Sequence, residues 1–270
     1  MSEVELSALS TYAQQLKAWR KLRGWSQVEL ADKLGYSDSL VSGVETKTKT
    51  PTLDFAKGCD TAFECPGTFV SLHELVSREA WPSYFAPVID FEAQAVRIHE
   101  WELRVVPGLF QTEDYARTVI SAGNPRLSDS ELDRKVNGRM ERQRIFERDS
   151  PPLYWTVLDE GVLRQVIGSS AIMAAQLDRL VEAARSPDVV IQVLPFTASD
   201  HPGTDGPVTV FDFAGEPSKA YTECNGGGMI AENLEAVAGL MTTINVIRAA
   251  ALPPRESTAL LWQIRSEIGT

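Results

Sequence analysis

Three short polar side chains, Asp38, Ser39 and Ser42, share the outward face of a short helix whose inward face carries Val41 and Val44. Side chains of this length and polarity can donate and accept hydrogen bonds at base edges, and a helix fits the DNA major groove. Ser37 precedes them as an N-cap, because its hydroxyl can accept an orphan N–H of the first turn. Lys47 and Lys49 follow at once, where phosphates would pass. Each phosphate neutralised by a Lys or Arg releases counterions, so binding of this kind is strongly salt-dependent.

Other residues offer other chemistry. Arg139, Arg142 and Arg144 lie close together on a helical stretch. They can grip a carboxylate or phosphate bidentately, or pair with Glu141, Glu147 and Asp149. Asp159 and Glu160 are either paired carboxylates for acid/base work or acids that start a helix. His73, His99 and His201 stand apart, without the spacing of metal ligands. Cys224 has no basic activator beside it in sequence. Gly226-Gly227-Gly228 is not followed by Lys and Ser/Thr, so it reads as a flexible turn and not a phosphate loop. The long Pro/Gly-edged loop at 197–207 contains His201, and loops of that length commonly belong to binding sites. Arg139, Arg142, Arg144 and His201 are therefore the candidates for an effector or partner site.

The elements that must position the polar face are legible around it. Ser26 can cap a first helix, on which Leu30, Ala31 and Leu34 form one apolar stripe. Gly35 stands where a helix end requires positive φ. Two short helices joined by such a turn make the helix-turn-helix layout, whose second helix enters the major groove. A preceding helix is expected over 12–22, with Leu16, Trp19 and Leu22 on one face. A fourth should follow Pro51. A fifth is expected over 68–79, with Phe69, Leu72, Leu75 and Val76 on one side. Trp81-Pro82 breaks the pattern, which places a domain boundary near residue 80, dividing 1–80 from 81–270. Beyond it, residues 83–98, 128–147, 170–184, 231–250 and 256–267 have helical spacing. Strands are expected at 153–158, 189–194, 208–213 and 220–224, which are rich in Val, Ile, Tyr and Phe. The reading is an α+β domain in which a small sheet packs on helices.

The run Arg20-Lys21-Leu22-Arg23-Gly24-Trp25-Ser26-Gln27, the two capped helices and Pro51-Thr52-Leu53-Asp54-Phe55-Ala56 resemble the Xre/Cro class. These are lambda-repressor-like, five-helix, all-α DNA-binding domains. The resemblance implies that Gln27 grips a phosphate and that Asp38, Ser39 and Ser42 face base edges. Gly43 departs from the usual pattern, which has a long residue there. Further on, Val105 to Arg117 resembles the signature Val-Pro-Gly-Leu-Leu-Gln-Thr-x-x-Tyr-Ala-Arg. That signature belongs to actinobacterial Xre-type regulators with the WhiJ-type C-terminal domain. Arg139 to Arg144, Leu158-Asp159-Glu160, Gln176-Leu177-x-x-Leu180, Val193-Leu194-Pro195-Phe196, Tyr221-x-Glu223 and Ala250-Ala251-Leu252-Pro253-x-x-Glu256-Ser257 follow in the same order. What the resemblance implies is a regulator of development or specialised metabolism. It also implies a small acidic partner protein, encoded next door, in an antitoxin-like arrangement.

Composition bounds the rest. The chain has 270 residues and is 43% hydrophobic, enough for two ordinary domains. No stretch approaches the ~20 apolar residues of a membrane span, and the acidic start lacks the basic and apolar regions of a signal peptide. Cys59, Cys65 and Cys224 are too few and scattered for a disulfide framework. A cytoplasmic protein is expected, without metal or other cofactor. The net charge of −11 is unevenly placed, because residues 10–57 carry eight Lys/Arg against five acids, which makes them +3. So modest a local charge favours a homodimer on two half-sites of double-stranded DNA. The expected protein is a regulator and not an enzyme, its second domain dimerising and receiving a signal. The rivals are an antitoxin-like protein that binds and neutralises a neighbour-encoded partner, and an enzyme that its DNA-binding domain merely localises.

Overall fold

The computed structural model describes residues 7–224 and 226–268. The chain forms two compact units. One takes in the described residues up to Pro82 together with Ile120–Glu141, and the other Ser83–Val119 and the residues from Arg142 onward.

The first unit contains the five expected helices: α1 (Ala8–Leu22), α2 (Gln27–Leu34), α3 (Asp38–Glu45), α4 (Leu53–Phe63) and α5 (Thr68–Glu79). Tyr12, Leu16, Leu30, Val41, Val44, Phe55, Phe63 and Phe69 are fully buried in one cluster. Each such side chain contributes about 1.5–3 kcal/mol relative to its exposed state. Trp19, Trp25 and Phe69 all lie against Phe63. Two expected core positions are corrected. Leu22 is 77% exposed, because the last residue of α1 is turned about 120° away from the inward stripe of Leu9, Tyr12, Ala13 and Leu16. Leu75 is also exposed, and His73 is buried on α5 instead. Gly67 offers α5 no side-chain cap, and the Asp60 carboxylate of α4 takes that place. It accepts the Phe69 N–H at 2.7 Å and the Val70 N–H at 3.2 Å, satisfying orphan donors of the first turn.

The second unit is built on a six-stranded sheet. Its first elements are α6 (Ala86–Gln94) and β1 (Arg97–Glu102). Next along the chain are α7 (Glu113–Gly123), which belongs to the first unit from Ile120 onward, and α8 (Asp129–Arg142), which belongs to it up to Glu141. Then come β2 (Leu153–Asp159), α9 (Glu160–Arg164), α10 (Ser170–Ala183), β3 (Val189–Leu194), β4 (Val208–Asp212), β5 (Lys219–Cys224), β6 (Gly227–Ala231), α11 (Leu234–Ala250) and α12 (Pro254–Ile268). The strand order is β3-β2-β1-β4-β5-β6. The β1, β2 and β3 strands are mutually parallel, and β4, β5 and β6 run antiparallel to their neighbours. The sheet is thus mixed and flanked by helices, with one core holding α10 and α12 residues and another holding α11 residues.

Two corrections concern this sheet. The expected helix over 83–98 ends at Gln94, and Arg97–Glu102 is a strand at the middle of the sheet. Arg97, His99, Glu100 and Glu102 hide its apolar alternation. The glycines at 226–228, expected as a turn, lead into β6, where Gly228 lies beneath the Tyr221 ring. A Cβ there would overlap the ring carbons and hydroxyl of Tyr221, so only glycine fits. The helix expected over 128–147 ends at Arg142 and continues as a 3₁₀ turn, Gln143–Glu147.

Within the first unit, α8 is tied to the helices before it. The Glu141 Oε1 accepts the Leu53 N–H at 2.9 Å and lies 3.1 Å from His73 Nε2. Lys135 Nζ donates to Ala80 O at 3.0 Å.

The segment bearing the Val-Pro-Gly signature is a hydrogen-bonded clasp. Gln111 Nε2 donates to Val106 O at 2.6 Å, and the Tyr115 hydroxyl accepts the Val106 N–H at 3.2 Å. Gln176, fully buried on α10, accepts the Thr112 N–H and donates to Phe110 O, each at 2.8 Å. Gln143 Nε2 donates to Gly108 O and Gln111 O. Buried backbone groups outside regular structure need such partners, and these side chains supply them.

Candidate nucleic-acid interface

The candidate interface is α3, and its placement follows from local sequence. The Ser26 hydroxyl accepts the Glu29 N–H while Glu29 Oε2 accepts the Ser26 N–H, a complete capping box at the start of α2. Gly35 ends α2 at φ 73°, a left-handed conformation that costs glycine nothing. The Ser37 hydroxyl caps α3 by accepting the Leu40 N–H.

A buried ion pair fixes the far end of α3. Arg20 of α1 donates from Nε to Glu45 Oε1 at 2.6 Å and from Nη2 to Oε2 at 2.8 Å, and from Nη1 to Trp25 O at 2.9 Å. Gln27 Nε2, from α2, donates to the same carboxylate at 2.7 Å. Burial works to raise the Glu45 carboxyl, but the bonds from Arg20 and Gln27 outweigh it and hold it below its ordinary value. Three helices therefore meet at one carboxylate. By sequence alone Arg20 and Glu45 count simply among the charges of the segment. Their 25-residue separation gives no local signal, although Arg20 stands in the run that resembles the family.

On the outward side, Asp38 and Ser39 are exposed and Ser42 is half-buried. Asp38 Oδ1 accepts the Ser39 N–H at 2.8 Å, and the Ser37 and Ser39 hydroxyls lie 3.0 Å apart. Lys47 and Lys49 are exposed after α3, Lys47 at φ 65°. Gly43 is buried, and a Cβ there would come 2.9 Å from both Cγ and Cδ of Lys49. The Lys49 stem thus lies where a longer residue at 43 would stand. The Gly43 carbonyl also accepts the Thr48 and Lys49 N–H groups, which shapes the turn bearing both lysines.

The candidate effector residues of the second half do not converge. Arg142 pairs bidentately with the buried Glu92, at 2.8 Å from Nε and 2.5 Å from Nη2, and lies over the Phe85 ring. Arg144 reaches Glu147 at 3.3 Å, and Arg139 lies over Trp81. His201 Nδ1 accepts the Gly203 N–H, while Trp101 Nε1 donates to Gly203 O at 2.9 Å. The 197–207 loop is therefore anchored on the indole.

Asp159, Glu160 and His99 have structural partners, and Cys224 is a free, exposed thiol. Asp159 caps α9, and Glu160 accepts from Arg164 Nε and the Phe196 N–H. His99 lies 3.2 Å from Asp212, whose other oxygen accepts from the Ser218 hydroxyl at 2.6 Å. This is not a nucleophile relay, because the hydroxyl reaches the carboxylate and not the imidazole. His99 Nδ1 instead accepts from Arg248 Nη2, and burial leads in lowering its pKa. Among the described residues no His, Cys, Asp and Glu cluster of three or more could hold a metal ion.

A capped, glycine-linked pair of helices with a polar outward face defines a helix-turn-helix unit. Residues 16–70 match the helix-turn-helix family, which suggests a DNA-binding regulator. Residues 85–263 match the family described as Domain of unknown function (DUF5753), and the chain belongs to that family. No curated protein and no solved structure matches it. No single described helix is long and apolar enough to cross a membrane.

Proposed function

We propose that the chain is a sequence-specific transcriptional regulator of the cytoplasm that binds its operator as a homodimer. The observation that carries this is α3, capped by Ser37, held by Arg20, Glu45 and Gln27, and presenting Asp38, Ser39 and Ser42 outward. Ser39 and Ser42 read base edges, and Lys47 and Lys49 meet phosphates. Gln27 keeps a second amide hydrogen for a phosphate after serving Glu45. The DUF5753 domain receives a signal and has no catalytic role, a reading supported by the structural partners of His99, Asp212 and Glu160. The Val-Pro-Gly signature supports a small acidic protein encoded next door as the source of that signal, in development or specialised metabolism. The +3 segment supports dimeric binding, since one copy holds DNA weakly.

The test is gel-shift titration on operator fragments recovered from the source genome. Ser39→Ala with Ser42→Ala is expected to relax sequence preference, by about 1–3 kcal/mol for each base-edge interaction removed. Lys47→Ala with Lys49→Ala should weaken binding to every sequence alike and flatten the salt slope by about two. Unchanged preference in the first pair and unchanged slope in the second would defeat the assignment of α3.

A further inference from the structure

The second unit holds a cavity of about 380 Å³, and all the residues that line it belong to that unit. Cavities of this size accept small organic ligands. Its apolar side is made by Phe110, Phe146, Pro151, Ala183 and Val189. Phe110, Ala183 and Val189 are part of the buried core, whereas Phe146 is half-buried. The Phe110 and Phe146 rings are stacked with their centroids 5.4 Å apart, and Tyr154 packs edge-on against both.

The rest of the lining is charged, and with both signs. Arg185 and Glu182 are exposed and pair with each other at 2.5 Å. Arg179 and Asp188 are half-buried at the same cavity. Among the described residues neither side chain has an ion pair or a hydrogen bond, with each other or with any other group. Charges drawn partly out of water are ordinarily met by an opposite charge, and here the chain supplies none. The C-terminus of α10 also reaches the cavity through Ala183, so its partial negative charge adds to that of Asp188. An occupant that completes this lining carries an anion for Arg179, a cation for Asp188 and a ring for Phe146.

We propose that the cavity binds an aromatic α-amino acid. Its carboxylate accepts from the planar fork of Arg179, which suits bidentate bonding. Its ammonium donates to the Asp188 carboxylate, and its side chain lies against Phe146 and Pro151. The same cavity adjoins the chain segment that leads from α8. Phe146 is on the 3₁₀ turn Gln143–Glu147, which continues α8, and α8 up to Glu141 belongs to the first unit. Gln143 of that turn donates to the Gly108 and Gln111 carbonyls, which flank Phe110 in the chain. A bound amino acid therefore bears on the turn that ends α8, and acts as a second input beside the partner protein. Binding itself stands apart from the DNA-binding reading, and only its use as a signal rests on that reading.

The experiment is isothermal titration calorimetry on the full chain, with L-phenylalanine and L-tryptophan as probes. Each is matched by the acid that lacks its ammonium, 3-phenylpropionate or indole-3-propionate, and by the amine that lacks its carboxylate, phenethylamine or tryptamine. Glycine supplies the two charges without a ring. At least one aromatic amino acid is expected to bind. Its matched acid and amine should each bind at least about tenfold more weakly, the ordinary effect of losing a charge-assisted hydrogen bond. Arg179→Gln and Asp188→Asn should keep the wild-type Tm, since neither side chain bonds within the chain, and should each lose at least about tenfold in affinity. Phe146→Leu should bind a few-fold more weakly. No binding of either amino acid at 10 mM, equal binding of a matched acid or amine, equal binding of glycine, or wild-type affinity in Arg179→Gln or Asp188→Asn overturns the site. Gel shift with and without the amino acid then separates the readings. Amino-acid binding that leaves operator affinity unchanged would refute the signalling role alone. Failure to bind any operator, with amino-acid binding intact, would refute the DNA reading alone.

Discussion

Replacing Glu45 by alanine tests whether one carboxylate orients α3. The side chains of Arg20 and Glu45 are 11% and 3% exposed, so their pairing is nearly free of solvent screening. Removing one member of such a pair costs about 3–5 kcal/mol, mostly because the other charge is left stranded. Gln27 loses its acceptor as well, for about 1 kcal/mol more. Taking about 4 kcal/mol in all, a domain of this size should lose at least about 15 °C in Tm. That is a large share of the ~5–15 kcal/mol by which domains are stable. The double replacement Arg20→Met with Glu45→Leu should recover most of the loss, since no charge remains buried. The sign with pH follows from the Glu45 carboxyl being held below its ordinary 4.5. The pair's contribution is full above pH 4.5 and is lost as pH falls through the lower folded value. The assay is urea unfolding of the full chain, resolved for its first domain, with gel shift at low temperature beside it. At that temperature Glu45→Ala should remain folded and still bind its operator more weakly. A stability loss under 1 kcal/mol, or a double variant no better than the single one, would refute the reasoning.

Gln176→Leu should destabilise the second domain by about 2–5 kcal/mol, since it leaves the Thr112 N–H and the Phe110 carbonyl buried without partners. Urea unfolding followed by hydrogen exchange will show whether the loss is confined to that domain; an unchanged midpoint would mean that water replaces the glutamine. Glu100→Gln should flatten the pH dependence of stability. With its folded value raised from 4.5 to about 8, native Glu100 holds its proton where the unfolded chain has released it. Wild-type stability should therefore fall between about pH 4.5 and 8, by up to about 5 kcal/mol. Parallel Tm curves for wild type and variant across that window would show that Glu100 ionises freely.

The helix-turn-helix was legible because its signals are local. Ser26, Gly35 and Ser37 each act within one helical turn, and the apolar period of α2 and α3 survives in any tertiary setting. Four strands were legible because Val, Ile, Tyr and Phe cluster in them. What only the tertiary structure decided depends on residues brought together from afar. The β1 strand reads as polar because it contributes His99 to one face of the sheet and Glu100 to the other, and no window of its own sequence reveals the neighbours that accept them. Arg139, Arg142 and Arg144 are close along the chain. Helical rotation and the 3₁₀ turn send them to Trp81, Glu92 and Glu147. The Val-Pro-Gly segment announces itself in sequence, but its work as a clasp appears only when Gln143 and Gln176 reach its carbonyls. Arg20 finds Glu45, and Tyr154 finds Glu100, through chain reversals that sequence spacing does not encode. Backbone preference acts between neighbours, whereas burial, ion pairing and the pKa shifts that follow from them depend on the whole packed surroundings of a side chain.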